Sequence, residues 1–595
     1  MRVLSRTDQR KLISVAFFQV FMASLDLLGV VAIGLLGALS VTGLQSQQPS
    51  GRVGSALELM HLSDLTFEKQ AILLGASSVF ILVGRTILSI IFTRRILFFL
   101  SRRGAIISAT LISKLLSQSL LTIQTRTTQK TLYAVTRGVE LIVLSIIATA
   151  VVLVADLSLL VVMAIGLFVL DPTTAISTFL IFSLIGFLLF RFMHVRAGAL
   201  GLESSRLNIA SNEKIVEVFS SYRESVVRNR RNYYAREIGK LRLTLADVTA
   251  ETSFMPYVSK YIIETSVILG AVLVGVIQFV LFDATHAVAT LAVFLASGTR
   301  IAPAVLRVQQ GSLTIRSARG QATPTLDLIE ALNDVNLIEK VDDSLDTIHS
   351  GFISTIQLHN ISLTYPSKVL PAVSNITLEI PAGTSVAFVG PSGAGKTTII
   401  DILLGVLIPN EGQVLVSGVP PLVAVSKWPG AVSYVPQDVM IVAGTIRENV
   451  ALGYPSNSYT DELVMYALKI AHLDQFVLGL PQGLETNVGE RGAKISGGQR
   501  QRLGIARAMF TCPHLLVLDE ATSSLDGETE SNISEAISAL RGLTTVVMVA
   551  HRLSTIQKAD VVVYLAEGKI VAKGSFNEVR NLVSDFDRQA TLMGL

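Results

Sequence analysis

The chain has 595 residues, too many for a single hydrophobic core, and half of them are hydrophobic while only 16% are charged. A mean hydropathy of +0.56 leaves an apolar surplus that needs a lipid environment and excludes an ordinary soluble enzyme. The net charge of +4 is carried by residues between and beside the apolar stretches, the pattern of membrane topology rather than of nucleic-acid binding, and the single cysteine, Cys512, excludes an intrachain disulfide framework and a Cys-based metal cluster.

The basic N-terminus, MRVLSRTDQRK, precedes an apolar run at about 12–41 that is longer than a signal-peptide core and lacks a small-residue cleavage site, so it reads as a retained helix. Stretches long enough to cross about 30 Å of hydrocarbon occur near 12–42, 71–100, 139–170, 173–193, 256–282 and 285–308, which makes six expected spans. Asp171-Pro172 is the expected break between the third and fourth, because proline does not continue a helix. Arginine and lysine crowd the segments after spans two and four, placing those on the cytoplasmic side and the loops at 43–70, 171–172 and 283–284 outside. Neither basic segment contains proline, so both are expected to continue as helices well into the cytoplasm.

In the first outer loop Val53, Ala56, Leu57 and Met60 have the spacing of a short amphipathic helix at the membrane surface, against the alternative of a solvated loop. The candidate charges inside spans are Asp26, Arg85, Asp156, Glu264 and Arg300. Such charges face a cavity, pair structurally or snorkel from a span end. Arg85 and Arg300 are the candidates for a substrate cavity, where they would suit a phosphate-bearing cargo.

After a six-helix all-α transmembrane domain at 1–310 and a junction at 311–350, the pattern changes at about residue 351 to short β-type runs, Gly-rich turns and amphipathic helices, an α/β domain reaching residue 595. Its strongest signal is the loop from Gly390 through Ser392, Gly393, Gly395, Lys396 and Thr397 to Thr398, between the strand-like TSVAFV and the helical TIIDILLGV. Glycines let backbone N–H groups curl round a phosphate chain, the helix N-terminus adds its dipole, Lys396 neutralises phosphate charge and Thr397 can ligate Mg²⁺. Downstream, the apolar LLVL run ends in Asp519 and Glu520, one placed for the Mg²⁺ shell and the other for polarising an attacking water.

Ser496-Gly497-Gly498-Gln499 followed by RQRLGIARA resembles the signature motif of the ABC transporter superfamily, with Ile495 where many members have leucine. The resemblance implies roles for residues that mean little singly. Tyr365 would stack on adenine, Gln437 would link Mg²⁺ and the attacking water to the membrane domain, Asp526 would lie in the D-loop and His551 would contact the γ-phosphate. Without the family order, Tyr365 reads as a core aromatic, Gln437 as a surface amide and His551 as a buried histidine.

In the resembling family the signature helix faces ATP bound to the other subunit, so one copy per chain implies a dimer, most simply a homodimer, with a heterodimer left open. Membrane-then-ATPase order and the Val488-Gly-Glu-Arg-Gly492 stretch resemble exporters. The implied protein is a multi-pass half-transporter of a bacterial inner (plasma) membrane, with its ATPase domain in the cytoplasm, ATP and Mg²⁺ as cofactors, and no nucleic acid as partner. Its expected cargo is a lipid-linked oligosaccharide or related glycolipid, followed by drugs or general lipids, and then peptides.

Overall fold

The computed structural model describes residues 66–592 except 171, 282–283, 338–343, 367, 522–532, 538 and 551–552, together with scattered positions between 7 and 25. Its contacts divide the chain into two units. One comprises Met1–Gln118 and Ile123–Ile338, the other Ser119–Thr122 and Glu339–Leu595.

The first unit is helical. Helices α1 (Phe67–Leu116), α2 (Leu120–Gln124, assigned to the second unit as far as Thr122), α3 (Ala148–Leu170), α4 (Pro172–Ser220), α5 (Tyr222–Val227), α6 (Arg231–Leu281), α7 (Ala284–Gln321) and α8 (Thr323–Ala331) follow in order. At 1.5 Å per residue, α1, α4 and α6 are each about 75 Å long, more than twice a bilayer core. The proline-free basic segments are thus the polar ends of the same helices. Four helical stretches among the described residues are long and apolar enough to cross a membrane: Glu68–Leu116, Leu141–Gly166, Thr178–Ser220 and Arg231–Ile277. The expected span at 285–308 lies inside α7, while that at 12–42 falls mostly outside the described residues. Helix α7 runs on through residues 311–321 of the stretch read as a junction.

Proline breaks the chain where expected. Helix α3 ends at Leu170 and α4 begins on Pro172, whose missing N–H costs nothing in a first turn. The approach to α3 holds a feature that hydropathy does not signal: Ala134–Gly138 and Leu141–Ile147 are π-helical, with wider i→i+5 turns. Close packing joins α4 to α7. A Cβ on Gly201 would come 2.1 Å from the Ser317 carbonyl oxygen, and one on Gly320 would come 2.5 Å from that of Gly198, so the two backbones meet with no side chain between them.

The intramembrane charges separate by partner. Asp156, only 6% exposed, accepts a 2.7 Å hydrogen bond from Arg307 Nε, so it is a structural ion-pair member tying α3 to α7. Glu264 is exposed and 3.9 Å from Lys260 one turn away. Arg85 is half-buried on α1; Arg300 is on α7 with its side chain outside the described residues, where Asp26 and the amphipathic stretch 53–60 also lie. Truncation by Asp156→Ala should cost about 2 kcal/mol by stranding Arg307, lowering the thermal midpoint of detergent-solubilised protein; adding Arg307→Ala should recover part of the loss. Additive losses would show that the two residues do not act as a pair.

In the second unit an antiparallel sheet, β2-β1-β4, is built from β1 (Ile356–Leu363), β2 (Val373–Ile380) and β4 (Glu411–Val416). A six-stranded sheet has the order β5-β6-β7-β3-β8-β9, from β3 (Ser385–Val389), β5 (Val432–Val435), β6 (Leu515–Asp519), β7 (Thr545–Val549), β8 (Val561–Ala566) and β9 (Lys569–Gly574). All its pairings are parallel except β8 with β9. The sequences LLVLD and TVVMV are buried throughout, as strands covered on both faces must be. Parallel pairing brings the ends of β3, β5, β6 and β7 to one edge of the sheet, where a doubly wound fold binds ligands.

Candidate nucleotide site

The loop after β3 leads into α9 (Lys396–Leu403). Gly390 and Gly395 have φ of 138° and 97°, and a Cβ would come 2.0 Å from the Leu565 carbonyl oxygen at the first and 2.6 Å from that of Ala372 at the second. Only glycine satisfies both the angle and the space. Ser392, Gly393 and Thr397 are on the exposed rim, whereas Thr398 is buried, with its Oγ1 3.2 Å from the hydroxyl of the half-buried Tyr365.

Lys396 is buried at the head of α9, and its Nζ donates to the Gly390 and Pro391 carbonyls at 2.8 and 3.0 Å. Burial pushes the ammonium below its ordinary range, while the negative charges of Glu520 and Asp519 pull it back. Asp519 closes β6 in a buried position. Glu520 follows in the left-handed region, φ 50°, a conformation that costs a non-glycine residue about 1 kcal/mol or more and so calls for local support. That support is present: its N–H donates to the Val549 carbonyl at 3.1 Å, its carbonyl accepts from Gln501 Nε2 at 3.3 Å, and its carboxylate accepts from Gln437 Nε2 at 2.8 Å.

Two residues beside Asp519 were not singled out in the sequence. Tyr434 is 37% exposed yet hydrogen-bonds Asp519, and its phenol is pushed up to about 12 by partial desolvation first and then by the charges of Asp519 and Asp401. Burial and Asp519 also raise the Asp401 carboxyl. Asp401 is one turn after Thr397 on α9, and Tyr434 is on the strand next to β6; neither proximity shows as a sequence motif.

Ser496 caps α10 (Gly497–Met509). Its Oγ accepts from the Gln499 N–H at 3.2 Å, while Gln499 Oε1 accepts from the Ser496 N–H at 2.8 Å. This reciprocal capping box fixes the first turn and leaves the N–H groups of Gly497 and Gly498 directed out of the helix end, where an anion is favoured. His551 and Asp526 lie outside the described residues. Arg85 and Arg300 belong to the other unit. A glycine cradle, a buried ammonium, an exposed threonine hydroxyl and adjacent carboxylates suit a triphosphate with its divalent cation.

Residues 373–523 match the ABC transporter family. A multidrug resistance ABC transporter ATP-binding and permease protein of Lactococcus lactis is 40% identical over 249 residues, 41% of this chain and 42% of that protein. An ATP-dependent lipid A-core flippase of Desulfotalea psychrophila is 36% identical over 283 residues, 47% of this chain and 48% of that protein. These matches span less than half of either relative. Over 99% of both chains, the fold is that of a bacterial Atm1-family ABC exporter solved with ATP bound, with a TM-score of 0.77 and 21% identity. The second unit therefore contains an ABC transporter ATP-binding domain, which uses ATP with Mg²⁺, and it follows a helical unit as in that exporter fold.

Replacing Lys396 by alanine removes charge-assisted contacts to phosphate worth roughly 2 kcal/mol, so ATP affinity should fall about 30-fold in a fluorescent-nucleotide titration; unchanged affinity would rule out its contact with the phosphates. In an absorbance titration of the phenolates, Tyr434 should keep its proton until about pH 12. Tyr434→Phe should therefore remove amplitude only from the last phase; loss from the phase near pH 10 would contradict its contact with the Asp519 carboxylate.

Proposed function

We propose that the chain is one half of an ATP-driven exporter or flippase, working as a homodimer in a bacterial inner membrane. The observation that carries this reading is the Gln437–Glu520 contact beside Asp519 and Lys396, in a chain whose other unit is made of membrane-length helices. In this reading a six-span transmembrane domain occupies 1–310, followed by a linker at 311–350 and the ATPase domain at 351–595 in the cytoplasm.

Lys396 and the N–H groups of the glycine loop hold the phosphates, Tyr365 stacks on the base, and Thr397, Gln437 and Asp519 would hold Mg²⁺. The cation supplies charge neutralisation on the phosphate oxygens. Gln437 and Glu520 position the water, and Glu520 accepts its proton as the oxygen bonds to the γ-phosphorus and the bond to ADP breaks. His551 and the N-terminus of the signature helix of the second copy, headed by Ser496, stabilise the phosphate charge. Closure of the nucleotide site alternates access to a membrane cavity.

The favoured cargo is a lipid-linked oligosaccharide or related glycolipid, with Arg85 and Arg300 as cationic contacts; a relative named as a lipid A-core flippase supports it. The relative named for multidrug resistance supports the alternative of a drug or general lipid exporter. Glu520→Gln protein in proteoliposomes should bind ATP with near-normal affinity and lose about 100-fold or more in turnover. Wild-type protein should move a fluorescent pyrophosphate-linked glycolipid between leaflets only with ATP. Undiminished turnover in the variant would refute the role of Glu520, and ATP-independent movement would refute coupled transport.

A further inference from the structure

The adjacent carboxylates at the end of β6 are both met by the chain leaving β5. Parallel register pairs Tyr434 with Val517 and Val435 with Leu518, so Tyr434 is on the same face of the sheet as Val517 and, two residues further on, Asp519. That face is the one covered by α9. Val517 packs in one apolar cluster with Ile399, Ile400 and Leu403, whereas Val435, Leu516 and Leu518 belong to the cluster on the opposite face. An aromatic side chain reaches a diagonal neighbour on the next strand, and the Tyr434 phenol hydrogen-bonds the Asp519 carboxylate. Three residues later Gln437 Nε2 donates to Glu520 at 2.8 Å. One short segment thus gives a neutral donor to each of two adjacent carboxylates.

The surroundings of Asp519 give such a donor a purpose. Asp519 is buried, and Asp401, one turn after Thr397 on α9, brings a second carboxylate close enough for the two charges to repel. A lysine or arginine at position 434 would hold Asp519 by cancelling the charge that a divalent cation needs. A phenol O–H occupies one lone pair and leaves both the charge and the second oxygen for the metal. The Tyr434 side chain is partly open to water, which could satisfy its hydroxyl, yet that hydroxyl is turned to Asp519.

We infer that Tyr434 is a positioning residue for the cation site, its O–H holding the Asp519 carboxylate in the orientation that Mg²⁺ uses. Tyr434 acts through Asp519 alone. The inference rests on the assignment of Asp519 to Mg²⁺ in the proposed function and adds the group that orients it. Removing the hydrogen-bond partner of a ligating group costs about 10- to 100-fold in metal affinity.

The test measures how much Mg²⁺ tightens ATP binding to full-length protein in lipid nanodiscs, with Glu520→Gln throughout so that nucleotide is not consumed. Affinity is read by displacement of a fluorescent nucleotide, once in EDTA and once in Mg²⁺. Tyr434→Phe, which keeps the ring, should leave the affinity in EDTA within about twofold and cut the gain from Mg²⁺ about tenfold. In an Asp519→Asn background Tyr434→Phe should cut nothing further, because the two residues act as one unit. With Mn²⁺ in place of Mg²⁺, the electron paramagnetic resonance spectrum of the bound ion should change shape in Tyr434→Phe, which lost packing alone would not cause. An unchanged gain, an equal loss in EDTA and in Mg²⁺, a loss that adds to that of Asp519→Asn, or an unaltered Mn²⁺ spectrum overturns the inference. If Asp519→Asn alone keeps the full gain, the assignment of Asp519 to Mg²⁺ fails and this inference with it; if Asp519→Asn loses the gain while Tyr434→Phe keeps it, that assignment stands and only the role of Tyr434 is lost.

Discussion

A buried ammonium group organises the ATP-binding unit. Lys396 cannot stay charged out of water unless oxygens surround it, and the structure supplies the carbonyls of Gly390 and Pro391 directly and the charges of Asp519 and Glu520 nearby. Those oxygens come from places far apart in the chain. They meet because β3 and β6 are both hydrogen-bonded to β7 in parallel, so that the glycine loop and the two carboxylates leave the sheet at the same edge. A phosphate chain entering this edge meets a cation already held in position, which lowers the ordering cost of binding. The left-handed turn at Glu520 belongs to the same arrangement. Three hydrogen bonds hold it, one of them to Gln437, so the carboxylate is positioned before any nucleotide arrives.

The helical unit handles charge by different means. Hydrocarbon tolerates Asp156 because Arg307 pairs with its Oδ1 across two helices, and at Pro256 the Gln310 amide of α7 donates to the proline carbonyl at 3.4 Å. Close approach of α4 and α7 through Gly198, Gly201, Ser317 and Gly320 adds packing that needs no hydrophobic effect. In the proposed export cycle these are the contacts through which a rigid helix, over twice the thickness of the bilayer core, can carry motion from its polar end into the membrane.

Much of the ATP site was legible in the sequence because its chemistry is contiguous: the glycine loop is a single run between a strand and a helix, and the capping box of Ser496 and Gln499 lies within four residues. Gln437 had meaning only through family order, and its partner Glu520 is 83 residues away. Tyr434 and Asp401 were missed because their proximity to Asp519 arises from strand pairing and one helical turn. In the membrane half, hydropathy located long helices but could not distinguish a π-helical turn from an α-helical one, since both bury the same apolar residues. Asp156 was visible as a lone charge, while Arg307, 151 residues on, is next to the last residue of its expected span, where a charge reads as a span end.

The central claim is that each ATP site is completed by a second copy of the chain, and cross-linking between differently tagged chains tests it most directly. With Cys512→Ser and Glu520→Gln in both, one carrying Ser392→Cys and the other Ser496→Cys, oxidation in the presence of ATP should give a disulfide-linked dimer containing both tags, and far less without ATP. Absence of that mixed dimer, from chains that still bind ATP, would contradict the shared site.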